Sequence, residues 1–207
     1  MARLTARTIV EAHLYLDLMR ADGLLGDVDP GDSGGWATLT EGHDAWTLRA
    51  DGAGGAFEPF DILIPYADLA EARRTGIRFG PRPSTLIDAG QWQELGTAYS
   101  EQALEAELAV SGAPGDEELK ARALQAWDFA IDVTGEALRF LPAGVAEMPA
   151  SALWSGRGRQ AYREDPDRFT RPVLARQVAI YRTMRDDFAE LAGASWPTRS
   201  SRPGGSS

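Results

Sequence analysis

Residues 10–18 read Val-Glu-Ala-His-Leu-Tyr-Leu-Asp-Leu. Val10, Ala12, Leu14, Leu16 and Leu18 occupy the even positions, and Glu11, His13, Tyr15 and Asp17 the odd ones. Strict alternation with aromatic content predicts a half-buried β-strand. On this reading the fold opens with a strand that ends in the turn Arg20-Ala21-Asp22-Gly23, and the same tetrapeptide recurs at Arg49-Ala50-Asp51-Gly52. Three further short strands are expected at Trp36–Thr40, Ala45–Arg49 and Phe57–Ile64, with Pro59 marking an edge or bulge. Together they form an antiparallel meander over residues 1–65.

From Pro65 the periodicity changes. A short helix is expected from Tyr66 to Arg74, followed by a linker or extended brace, GIRFGPRPS, at 76–84. Asp88 is placed to cap a helical region that continues through Glu94–Val110, and Asp116 to cap a long helix through Phe140. Pro149–Tyr162 reads as a helix, Asp165–Phe169 as a turn, and Pro172 as the first turn of a last helix reaching Ala192. Residues 193–207, rich in Ser, Pro and Gly, are expected to be a disordered tail. The expected class is α+β: a small antiparallel sheet at 1–65 packed with about four helices in 66–192.

Two hairpin ends that share a tight glycine turn resemble the layout of a zinc ribbon, in which two C-P-x-C-G knuckles clamp one metal. The aligned positions here are Met19, Asp22, Leu48 and Asp51. Tetrahedral zinc requires four nitrogen, sulfur or oxygen ligands, and this set supplies two. The chain has no cysteine, which excludes thiolate sites, disulfides and Cys nucleophiles together. The module is therefore expected to bind no zinc, and no cofactor is expected elsewhere. The acidic loop Gly26–Ser33 fails the twelve-residue calcium pattern in either frame, because Gly31 falls where a ligand oxygen is needed and no Glu closes the loop.

Four strings, EAHLYLDL at 11–18, FGPRPSTLIDAGQW at 79–92, MPASALWSGRGRQAY at 148–162 and EDPDRF at 164–169, resemble uncharacterised proteins of actinobacteria and similar GC-rich bacteria. The resemblance covers most of residues 8–190 and implies no particular activity.

The net charge is −10 over 207 residues, which argues against general nucleic-acid binding. The charge is uneven: residues 1–150 carry 11 basic and 25 acidic groups, and residues 151–207 carry 10 basic and 6 acidic groups. A basic C-terminal region docking onto an acidic body is the simplest reading. No signal peptide or membrane-spanning run is read, so a cytoplasmic protein is expected.

Two groups of residues could carry chemistry. On a strand, Glu11, His13, Tyr15 and Asp17 would share one face at about 7 Å intervals. With His43 and Asp44 from a turn folding over that face, His13, Asp17 and His43 would form an acid–base set. The segment from Trp154 to Arg163 sets Arg157, Arg159 and Arg163 among Gly156 and Gly158, beside Trp154 and Tyr162. Glycine admits close approach of backbone, and guanidinium forks suit phosphate or carboxylate. The segment has no P-loop pattern and no G-x-S-x-G elbow. The favoured reading is a non-catalytic intracellular binding protein of the immunity or antitoxin kind, covering a partner with a basic surface. The alternative is an enzyme for a small anionic metabolite, held by Trp154, Arg157, Arg159, Tyr162 and Arg163.

Overall fold

The computed structural model describes residues 4–25, 36–51 and 57–193. The acidic loop at 26–33, the glycine turn at 52–56 and the tail beyond Gly193 lie outside the described residues.

The fold is α+β. A four-stranded sheet comprises β1 (Leu4–Thr5), β2 (Ala37–Glu41), β3 (Ala45–Ala50) and β4 (Phe60–Pro65), in the spatial order β1-β4-β3-β2. The pairs β2–β3 and β3–β4 are antiparallel, with Leu39 opposite Leu48 and Leu48 opposite Ile62. The pair β1–β4 is parallel, so the sheet is mixed where a purely antiparallel one was expected. The helices are α1 (Ile9–Ala21), α2 (Tyr66–Thr75), α3 (Ala89–Gly112), α4 (Glu117–Arg139), α5 (Gly156–Glu164) and α6 (Arg171–Gly193).

The decisive difference lies at residues 10–18. They form α1, not a strand. Of the four odd positions only His13 and Asp17 are exposed; Glu11 is fully buried and Tyr15 half-buried. A spacing of four is an even number of strand residues and also close to one helical turn, so the two exposed positions satisfy both periods. The remaining apolar residues bury α1 on most of its circumference, as expected of a helix inside a core. Thr8 caps it, its hydroxyl accepting from the Glu11 N–H at 3.2 Å. The first Arg-Ala-Asp-Gly turn therefore ends a helix, not a hairpin, and Gly23 takes the left-handed φ of +70° there. The second copy begins within β3 at Arg49 and Ala50, and its Gly52 lies outside the described residues. The first copy thus closes a helix, and the second starts at the end of a strand.

One apolar core joins both halves of the chain. It combines Leu14, Leu16 and Leu18 of α1, Leu48, Ile62 and Ile64 of the sheet, Trp92 of α3, Val133 and Ala137 of α4, and Leu174 of α6. The expected boundary at residue 65 thus falls inside a shared core. The segment between α2 and α3 is the brace anticipated from its composition. Phe79 is buried there against Trp92, with ring centroids 4.8 Å apart. Asp88 caps α3 in a capping box with Gln91, and Asp116 caps α4 by accepting from the N–H groups of Glu118 and Leu119. The long helices α3, α4 and α6 pack with α4 against both others. Trp127 of α4 is fully buried, 5.6 Å from the Tyr181 ring of α6, and its indole donates to Glu107 of α3 at 2.6 Å. The short α5 replaces the longer helix expected at 149–162, because Pro149 starts only a 3-10 turn over Ala150–Ala152 and Ser155 begins a new helix.

Candidate functional site

The segment 148–164 holds the cluster that the sequence singles out. Ser155 caps α5, its hydroxyl accepting from the Gly158 N–H at 2.8 Å. The start of α5 meets the start of α3 at Asp88, whose carboxylate accepts from the Gln91 N–H at 2.9 Å and the Ser155 N–H at 2.6 Å. Asp88 is completely buried. Two helix N-termini, each with a partial positive charge, thus close on one internal carboxylate. Gly158 lies against Gly90 and Asp88 so closely that a Cβ on either glycine would overlap the facing group. The glycine does admit a close approach, but what approaches is the chain's own Asp88 and Gly90.

Of the five candidate ligand-binding residues, Trp154 precedes α5 and the other four divide between its faces. Arg157 bridges Asp22 at 2.7 Å and Glu94 at 2.5 Å, tying α5 to the end of α1 and to α3. Trp154 is 40% exposed and packs edge-on against Phe140, with centroids 5.8 Å apart. Arg159, Tyr162 and Arg163 line a cavity of about 360 Å³ together with Met148, Ala150 and Leu153. Tyr162 is backed by Phe169, with ring centroids 5.5 Å apart. Arg159 donates to the Trp154 carbonyl and Arg163 to the Arg159 carbonyl. Among the described residues neither arginine forms an ion pair.

The proposed acid–base set is not assembled on one face. His13 and Asp17 are exposed one turn apart on α1, while Glu11 and Tyr15 turn inward. His43 is exposed in the turn between β2 and β3. None of His13, Asp17 and His43 lines the α5 cavity. Among the described residues no three His, Asp or Glu side chains are grouped as metal ligands, and no helix is long and apolar enough to cross a membrane.

Sequence reasoning missed a buried charge cluster. Arg7 donates to both Glu11 carboxylate oxygens at 2.8–3.1 Å and to Glu136 at 2.8 Å. Arg139 pairs with Glu136 at 2.9 Å. The Glu11 carboxylate also accepts from the Arg7 N–H at 2.6 Å. Arg7 and Arg139 further donate to the carbonyls of Arg82 and Pro81, pinning the brace. Burial lowers the Arg7 guanidinium, but the Glu11 and Glu136 hydrogen bonds and charges outweigh it, and the net shift is upward. Burial pushes the Glu136 carboxyl up; Arg7 and Arg139 offset part of that. The cluster is closed, with two cations matched to two anions. A local signal existed: Thr8-Ile9-Val10-Glu11 has the T-x-x-E spacing of a capping box.

A second surface stands out on α3. Leu104 and Leu108 are 41% and 74% exposed, one turn apart, with Glu101 and Glu105 exposed between and beside them. The adjoining groove toward α4, about 300 Å³, is lined by Gln102, Glu105, Ala106, Ala109, Leu119, Arg122 and Ala126. No protein-family model, curated protein or solved structure matches this chain, so the site is argued from its own geometry.

Proposed function

We propose that the protein is a non-catalytic intracellular binding protein whose partner presents a basic, amphipathic surface, in the manner of an immunity protein or antitoxin. The observation that carries this reading is the α3 face: Leu104 and Leu108 stand in water on one helical stripe, bordered by Glu101 and Glu105. Exposed leucines one turn apart suit the apolar stripe of a docking helix. The flanking carboxylates favour a cationic rim, and a net charge of −10 steers such a partner into encounter. The catalytic alternative has less support, because the side chains it needs are dispersed between α1, the β2–β3 turn and α5.

The test is photo-crosslinking from position 105 of the full chain in a lysate of the source organism at graded salt concentrations. A basic protein should be captured, with a yield that falls as salt rises. The substitutions Leu104→Glu and Leu108→Glu, both on an exposed face, should abolish capture while circular dichroism stays unchanged. Capture that is indifferent to salt and to both substitutions would contradict the reading.

A further inference from the structure

The cavity beside α5 carries a second inference, independent of the α3 face. Its lining is largely apolar: Met148 and Leu153 are buried, the Tyr162 ring is half-buried, and Ala150 stands exposed at the edge. Its rim is cationic. Arg159 and Arg163 are successive turns of one helix face, so their guanidinium groups lie on the same side of the opening. A guanidinium has five N–H donors. The contacts within the protein engage one nitrogen of each arginine: Nη1 of Arg159 on the Trp154 carbonyl and Nε of Arg163 on the Arg159 carbonyl. The remaining donors meet no carboxylate among the described residues, although Glu164 and Asp165 follow directly in the chain. Glu164 instead accepts from Gln160 at 2.9 Å, and Arg157, on the other side of the helix, takes Asp22 and Glu94. Glu164, Asp22 and Glu94 are thus engaged away from this opening, and Asp165 forms no ion pair with either arginine among the described residues.

We propose that this cavity binds a small amphipathic anion, with a carboxylate or phosphate head between Arg159 and Arg163 and an apolar body against Met148, Ala150, Leu153 and Tyr162. A volume of about 360 Å³ lies within the range of small-ligand pockets and leaves room for a chain of medium length. Head and body contribute separately: the guanidinium forks bind the charged oxygens, and the apolar lining removes hydrocarbon from water. Neither acetate nor a neutral alcohol meets both demands.

The experiment is isothermal titration of the full-length protein with octanoate and octyl phosphate below their micellar concentrations. Acetate, inorganic phosphate and octanol serve as the head-only and body-only probes. One saturable site for octanoate or octyl phosphate is expected, at least about tenfold tighter than for octanol or the short anions. Tighter octanoate assigns a carboxylate ligand, and tighter octyl phosphate a phosphate one. The paired substitution Arg159→Gln and Arg163→Gln should cost at least about tenfold, as one lost charge-assisted contact would. Ala150→Trp, which fills the cavity without touching a charge, should also abolish binding; Arg176→Gln on exposed α6 should not alter it. Equal binding of octanol, unchanged binding by the double Gln variant, or binding to many equivalent sites would overturn the proposal. So would sedimentation with phosphatidylglycerol vesicles in the absence of any binding to soluble octyl phosphate.

Discussion

Two groups of arginines put the same chemistry to different uses. Arg7 and Arg139 are drawn into a closed cluster with Glu11 and Glu136, where the Arg7 side chain keeps 9% of its exposure and the two carboxylates 1% and 2%. Arg159 and Arg163 stand at the mouth of a cavity with no carboxylate partner among the described residues. A guanidinium that is matched and dry holds elements together. One that is unmatched beside an apolar recess is arranged for something that arrives. Arg157, on the same short helix, belongs with the first group because it is spent on Asp22 and Glu94.

Removing a member of the closed cluster should have the largest effect. Arg7→Met leaves Glu11 and Glu136 buried without their common cation and should cost about 3–5 kcal/mol at neutral pH, read by chemical denaturation. Its pH dependence has a definite sign. Burial already raises the Glu136 carboxyl, so across the window above the usual carboxylate range the folded state holds the extra proton and stability falls as pH rises. Without Arg7 the Glu136 carboxyl loses a cation that holds it down, so the deficit should be full at pH 7 and shrink on acidification. A deficit unchanged between pH 7 and pH 4 would mean that packing, not charge, was lost.

Asp88→Ala comes next. It removes the acceptor shared by the starts of α3 and α5 and should cost about 2 kcal/mol, at the upper end for a helix cap. Hydrogen exchange should quicken at the N–H groups of Gln91 and Ser155, and protection there that survives the substitution would refute the shared role. Arg157→Ala should cost at most about 1 kcal/mol, because its ion pairs are about one-third exposed. A loss as large as that of Arg7→Met would mean that exposure does not weaken these ion pairs.

Much of the architecture was legible because its signals are local. Asp88, Asp116 and Pro172 each stand one step from a helix start, and the strands at 37–41 and 45–50 are bounded by turn residues. The error at 10–18 has a physical origin. His13 and Asp17, spaced by four, are compatible with either period, and the burial of Glu11 depends on Arg7, which is itself held by Glu136, 129 residues away. No window of sequence contains that pairing. β1 has two residues and is too short to leave a periodic trace. At α5 the i,i+4 spacing of Arg159 and Arg163 was legible, but the engagement of Arg157 was not, because its partners Glu94 and Asp22 lie 63 and 135 residues away. Helical spacing sets Arg159 and Arg163 on one side and Arg157 on another, and that arithmetic was available once Ser155 was recognised as the cap. The two Arg-Ala-Asp-Gly copies sit in different settings: Asp22 binds Arg157 after a helix, whereas Arg49 lies within β3 and pairs with Asp61 across the sheet.

We propose two binding surfaces on this protein, and the arginine-rimmed cavity beside α5 is the one open to the most direct test. Thermal melting of the wild type and of the protein carrying Arg159→Gln and Arg163→Gln, each with and without octyl phosphate, tests it most directly. Without ligand the two proteins should melt together, since exposed substitutions of this kind change stability by about 0.5 kcal/mol or less. With ligand the wild type alone should gain stability, by an amount that grows with ligand concentration. A double variant that melts far lower without ligand, or that gains as much with it, would place these arginines in the structure of the protein and contradict the account.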